Sequence, residues 1–139
     1  MSSSAMASRR TTALNPDGVA PPLKGYYSNA VRVEAGPLLF LAGQIAVDAQ
    51  GNLVGAGDLR AQARQVLENI RTILKTQGAD MADVVNVTVY ITDMRAFHEI
   101  ADIRLEYFPS NGPASAIVEV SKLALPELLI EISAVAAIR

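Results

Sequence analysis

Along the chain, apolar positions recur first with a period of two and then at three and four, so the pattern predicts strands and helices in turn. The clearest alternation is Val84 to Thr92: Val85, Val87, Val89 and Ile91 fall on one face, and Asn86, Thr88 and Tyr90 on the other. The last third predicts two more strands, Ala114 to Ser121 and Leu128 to Ile138, joined as a hairpin through Lys122 to Glu127. In the second of these, Leu128, Ile130, Ile132, Ala134, Ala136 and Ile138 share a face, while Glu131 and Ser133 lie opposite with Leu129 and Val135. In the first, Ala116, Val118 and Val120 lie on one face and Ser115, Ile117, Glu119 and Ser121 on the other. Ala30 to Glu34 and Leu38 to Val47, around Ala35, Gly36 and Pro37, read as an earlier hairpin, and Gly43 marks a bulge or a close backbone approach.

Helical spacing appears twice. Between Asp58 and Gln77, Leu59, Ala63, Val66, Leu67, Ile70, Ile73 and Leu74 line one stripe, with Asp58 placed as N-cap and Gly78 just beyond the C-terminus. After Asp93, Phe97, Ile100, Ala101, Arg104, Leu105 and Phe108 line a second helix that Pro109 stops. Arg10 to Leu14 reads as a short edge strand, and the stretch to Pro22 carries turn chemistry. Residues 1–9 are small and polar without period, a disordered tail ahead of one domain over 10–139.

The expected architecture is α+β: a mixed, mostly antiparallel sheet of five or six strands with two helices on one face. Its other face is semi-apolar and dotted with Thr, Ser, Asn, Tyr and Glu rather than the Lys and Arg of a water-facing sheet, so it is expected to pack against further copies of the chain. Composition agrees, since half of the residues are hydrophobic and only 19% charged. The chain has no cysteine, which removes thiol nucleophiles, disulfides and thiolate metal sites. No apolar run is long enough to span a membrane and no secretory signal is visible, so a cytoplasmic protein is expected. A net charge of −2 with scattered basic residues speaks against a nucleic-acid surface.

Candidate chemistry is sparse. His98 is the only histidine, which leaves no metal-ligand spacing and no triad or Cys-His pair within one chain, unless His98 is used across an interface; it reads as a surface residue. The glycines of Gly51 to Gly57 match no phosphate-binding motif. What remains is Glu131 on an otherwise buried strand, where a carboxylate needs a partner or a role. Beside it stand Tyr26 and Tyr27, which either fill a core gap or serve a site, Gly43 with Gln44, and the turn Gly112 to Ser115, whose backbone amides can meet an anion.

Five segments, Leu41 to Ile45, Ala61 to Ile70, Val84 to Met94, Gly112 to Val120 and Leu128 to Ala136, resemble the reactive intermediate deaminase family, Rid or YjgF, in register from about Gly25 to Arg139. The resemblance implies a chorismate-mutase-like fold and a homotrimer with clefts between subunits. It further implies hydrolysis of enamines and imines to ammonia and a 2-oxo acid without a metal or organic cofactor. The family's cleft tyrosine falls on Tyr27 and its carboxylate on Glu131, with Gly43, Gln44, Ala114 and Ile117 lining the substrate site. Three positions depart: a serine is replaced by Ala42, an asparagine at or near Ala101 is lost, and Ser115 stands where an arginine pairs with the substrate carboxylate. An Arg–carboxylate bond is worth about 1.5–3 kcal/mol. The loss therefore predicts a substrate other than the simple 2-imino acids, either a neutral or less acidic ligand or one whose charge is met by Lys24, Lys122 or Arg104. The alternative is a non-catalytic binding module for a small metabolite.

Overall fold

The structure, a computed structural model, describes residues 10–139; the tail expected over residues 1–9 lies outside them. Its elements in order are β1 (Thr11–Leu14), β2 (Ala30–Val33), β3 (Leu38–Gln44), α1 (Leu59–Lys75), β4 (Val84–Ile91), α2 (Ala101–Tyr107), β5 (Ala114–Glu119) and β6 (Ile130–Ala137). Short 3-10 segments, Met81–Asp83 and Met94–Ile100, lead into β4 and α2. The class is the expected α+β with two helices. The six strands divide into a four-stranded sheet, in the order β3-β6-β4-β5, and a two-stranded ribbon of β1 and β2.

Neither expected hairpin forms. β6 runs antiparallel between β3 and β4, and β5 lies parallel to β4 at the edge. A parallel pair needs a long crossover, which Met94–Tyr107 provides, and the most continuously apolar strand, β6, takes a central place where both of its edges are hydrogen-bonded. β2 pairs with β1 instead of β3. Just before β2, Ser28 is bridged to Ala114 at the β5 edge, whereas β3 begins at the opposite edge. The intervening segment must cross the end of the sheet, so it cannot run beside β3.

α1 forms as its pattern predicts. The Asp58 side chain accepts from the Ala61 amide, Gly78 takes a positive φ of 68° beyond the C-terminus, and Val66, Leu67, Ile70 and Leu74 are buried over β3 and β6. The second helix is α-helical only from Ala101. The 3-10 start changes the phase, so Phe97 is 42% exposed, contrary to expectation, and Ile103 is fully buried. Two bidentate ion pairs, Arg60 with Asp102 and Arg64 with Glu106, clasp α2 to α1. The Arg60 guanidinium lowers the Asp102 carboxyl to about 2.

Both helices cover one face of the sheet. On the other face Phe40 is 73% exposed, with Leu38 and Val118 also exposed. β5 corrects the expected face assignment. Its parallel register pairs Ser115 with Val87 and Ile117 with Val89, and directly paired residues share a face, so Ser115 and Ile117 turn toward the helices. Glu131, paired with Tyr90, lies on the open face. No helix among the described residues is long and apolar enough to cross a membrane.

One buried polar side chain ties these parts together. Gln62 is fully buried in the first turns of α1, donates to the Gly55 and Glu127 carbonyls at 3.0 and 2.9 Å, and accepts from the Leu129 amide at 2.8 Å. A leucine of similar size would leave three backbone groups unpaired, each costing about 1–3 kcal/mol when buried. Gln62→Leu is therefore expected to lower stability by roughly 3 kcal/mol, read from the urea midpoint at unchanged slope; a loss below about 1 kcal/mol would show that water replaces the amide.

Candidate functional site

The tyrosine segment is held against the start of β5 by its backbone. The Gly112 amide donates to the Gly25 carbonyl at 3.1 Å, and the Ser28 amide to the Pro113 carbonyl at 3.0 Å. The approach is close enough to exclude a side chain, since a Cβ on Gly112 would lie 2.2 Å from the carbonyl carbon and oxygen of Tyr26. The result places Tyr26, Tyr27 and Ser28 beside Pro113, Ala114 and Ser115. Tyr26 is buried and Tyr27 half-buried, their rings 5.7 Å apart, and the Tyr27 hydroxyl accepts from the Leu23 amide at 3.4 Å. The Ser28 hydroxyl is buried with no hydrogen-bond partner among the described residues.

Of the three cations that sequence puts forward, Lys24 and Lys122 are exposed and Arg104 is not. Arg104, on the buried side of α2, is 5% exposed; its Nη2 donates to the Ser115 Oγ at 2.8 Å, and its guanidinium lies 4.2 Å from the centre of the Tyr26 ring. No carboxylate among the described residues pairs with it. Burial pulls its pKa below the ordinary guanidinium value, while Tyr26 and then Tyr27 act the other way. Withdrawing a charge from water costs several kcal/mol. A desolvated cation–π stack returns about 2 kcal/mol and one hydrogen bond to a neutral hydroxyl about 1 kcal/mol, so the charge is under-compensated.

Glu131 stands elsewhere. Between Leu41 and Gln44 the β3–β6 register slips, so that Ala42 and Gly43 together oppose Ser133 in a bulge. The Glu131 carboxylate folds over this bulge: a Cβ on Gly43 would lie 2.0 Å from its Oε2. No side chain or backbone amide among the described residues reaches that carboxylate. Gln44 is turned back, its amide donating to the Ala42 carbonyl at 3.3 Å.

The residues singled out by sequence therefore form two groups on opposite faces of one sheet. Tyr27, Ser115 and Ile117 sit on the helix side with Arg104 and Tyr26; Gly43 and Glu131 sit on the open side with Tyr90 opposite, and Ala114, paired with Asn86, turns to that side as well. Gln44 borders the second group. Sequence reasoning missed the Ser28 hydroxyl and the stacking role of Tyr26, since neither carries a motif. His98 is exposed, and the described residues contain no group of three or more His, Cys, Asp or Glu able to hold a metal.

The model of the family described as "Endoribonuclease L-PSP" matches residues 18–138. A RutC family protein of Pyrococcus horikoshii is 45% identical over 117 residues, covering 84% of this chain and 90% of that protein. The chain belongs to the Rid/YjgF family. Among solved Rid structures, a Yersinia pestis member titled as a protein of unknown function aligns with a TM-score of 0.86 at 39% identity, covering 93% of this chain and 99% of that one. A Mycobacterium tuberculosis member of the YjgF family gives a TM-score of 0.64 at 32% identity, covering 92% and 99%. In this Rid chain a guanidinium does reach position 115, although from α2 rather than from β5.

The two glycines predict different outcomes. Gly112→Ala meets backbone that must shift, so stability should fall by about 2–3 kcal/mol. Gly43→Ala meets only the end of a flexible side chain, and the lower entropy of the unfolded chain partly offsets it, so the change should stay within about 1 kcal/mol. Thermal unfolding of both variants checks the order; equal losses would mean that the Tyr26 backbone yields as readily as the Glu131 side chain.

Proposed function

We propose that the chain assembles as a homotrimer whose inter-subunit clefts hydrolyse an enamine or imine, releasing ammonia and a carbonyl product. The observation that carries this reading is the placement of two incomplete half-sites on opposite faces of one sheet. Among the described residues, a cation without an anion lies by the β5 edge and a carboxylate without a partner lies on the open face, so one cleft containing both takes each half from a different copy. The exposed Phe40, Leu38 and Val118 around the second half support such a contact.

In that cleft Glu131 accepts a proton from water as the oxygen attacks the C=N carbon of the protonated imine, returns it to the nitrogen of the carbinolamine, and takes up the hydroxyl proton as ammonia leaves and C=O forms. Tyr27, on the partner's edge, closes the cleft over the substrate. The family model's description favours RNA cleavage, but the surface does not. Arg32, Arg60, Arg64, Arg71 and Arg95 are each paired with a carboxylate, and His98 is the only histidine.

Ammonia release from enzymatically generated imines tests the activity. Glu131→Gln is expected to lower kcat by about 10²–10⁴-fold with product affinity changed less than a few fold. Ligand binding without turnover in the wild type would leave a binding module in place of an enzyme. Light scattering should give three times the chain mass for the wild type. Phe40→Asp should give a lower mass and lose turnover together, and a variant that stays active as a monomer would remove the shared cleft.

A further inference from the structure

We propose that Arg104 is the specificity-determining residue of this site: its guanidinium, acting with the Ser115 hydroxyl, binds a carboxylate group of the ligand. The imine chemistry proposed above supplies the reaction, and the anion site stands on separate observations. Arg104 is a buried cation that no carboxylate among the described residues neutralises, and its guanidinium donates to the Ser115 Oγ at 2.8 Å. A structural guanidinium at this depth would be expected to end on a carboxylate, as Arg60 and Arg64 do in ordinary ion pairs even at the surface. Arg104 ends on a hydroxyl and an aromatic face, both neutral.

The contact has a direction. Ser115 accepts from Arg104, so its own proton stays free to donate, and the pair presents an N–H and an O–H from two different elements. Two donors and one positive charge suit the two oxygens of a carboxylate. Stacking on Tyr26, which the Gly112 contact holds in place, fixes the guanidinium before any ligand arrives. The exclusion of 2-imino acids, drawn from Ser115 alone, no longer holds once the cation comes from α2.

Binding of 2-oxopentanoate, compared with the uncharged 2-pentanone, reads the anion site without turnover. The wild type should bind the carboxylate at least tenfold more tightly than the ketone. Arg104→Met should remove that preference with ketone binding unchanged. Arg104→Lys, which keeps a charge but not the planar fork, should weaken carboxylate binding severalfold, and it carries the test if the methionine variant does not fold. Ser115→Arg alone should not help, because it sets two guanidinium groups side by side, while Arg104→Met with Ser115→Arg should restore the preference. Equal carboxylate affinity in the wild type and the position-104 variants, or no preference in the wild type, overturns the proposal. Carboxylate selectivity through Arg104 without imine turnover sinks the hydrolase reading and leaves this one; imine turnover indifferent to position 104 does the reverse.

Discussion

The parallel pairing of β5 with β4, in the register that sets Ser115 against Val87, is the constraint on which the site depends. Side chains along a strand alternate, so a shift of one residue would move Ser115 to the open face and carry Ala116 under the helices. The register is fixed where Ile117 packs beside Val89 and where Gly112 and Pro113 accept the tyrosine segment along the strand edge. With Ser115 held on the helix side, Arg104 can touch it from α2; with β6 antiparallel to β4, Glu131 is sent to the other side. One sheet thus separates a cation from an acid by its own thickness.

Two glycines let backbone or charge come where a side chain would block it, and they do different work. Gly112 admits the Tyr26 carbonyl, a rigid neighbour, and so sets the position of a whole loop. Gly43 admits the Glu131 carboxylate, a flexible neighbour, and so sets only where that acid rests. The bulge at Ala42 and Gly43 adds a local kink that opens space above the strand for the acid. Gln62 plays the structural counterpart, meeting three backbone groups that α1 and the approach to β6 would otherwise bury unpaired.

Much of the fold was legible because period-two and period-three-to-four patterns report burial. Val85, Val87, Val89 and Ile91 in β4, and Val66, Leu67, Ile70 and Leu74 in α1, are buried as their spacing requires. Pairing was not legible. Alternation says which residues share a face of a strand but not which strand lies beside it, so both sequence-adjacent hairpins were expected and neither formed. The same gap hid the site's division: Ser115 and Glu131 each sit on a mixed face, and only the register shows that the two faces point apart. The 3-10 entry to α2 was hidden too, because Phe97 fits a continuous helical stripe that the backbone does not follow.

The arginine missing from β5 shows why a binding charge cannot be judged from one position. What a carboxylate requires is a desolvated guanidinium at a point in space, and an arginine's long stem lets several backbone positions serve that point. Arg104 ends on the small hydroxyl of Ser115, where a long side chain on the strand would compete for the same space. The two residues form one unit, a small hydroxyl on the strand beside a large cation on the helix. Tyr26 completes the unit, since its ring receives the guanidinium face while the hydroxyl receives an edge. Such a charge, 5% exposed and without a carboxylate partner among the described residues, costs stability in the free protein. Under the carboxylate proposal, that cost to the fold is exchanged for selectivity toward charged ligands.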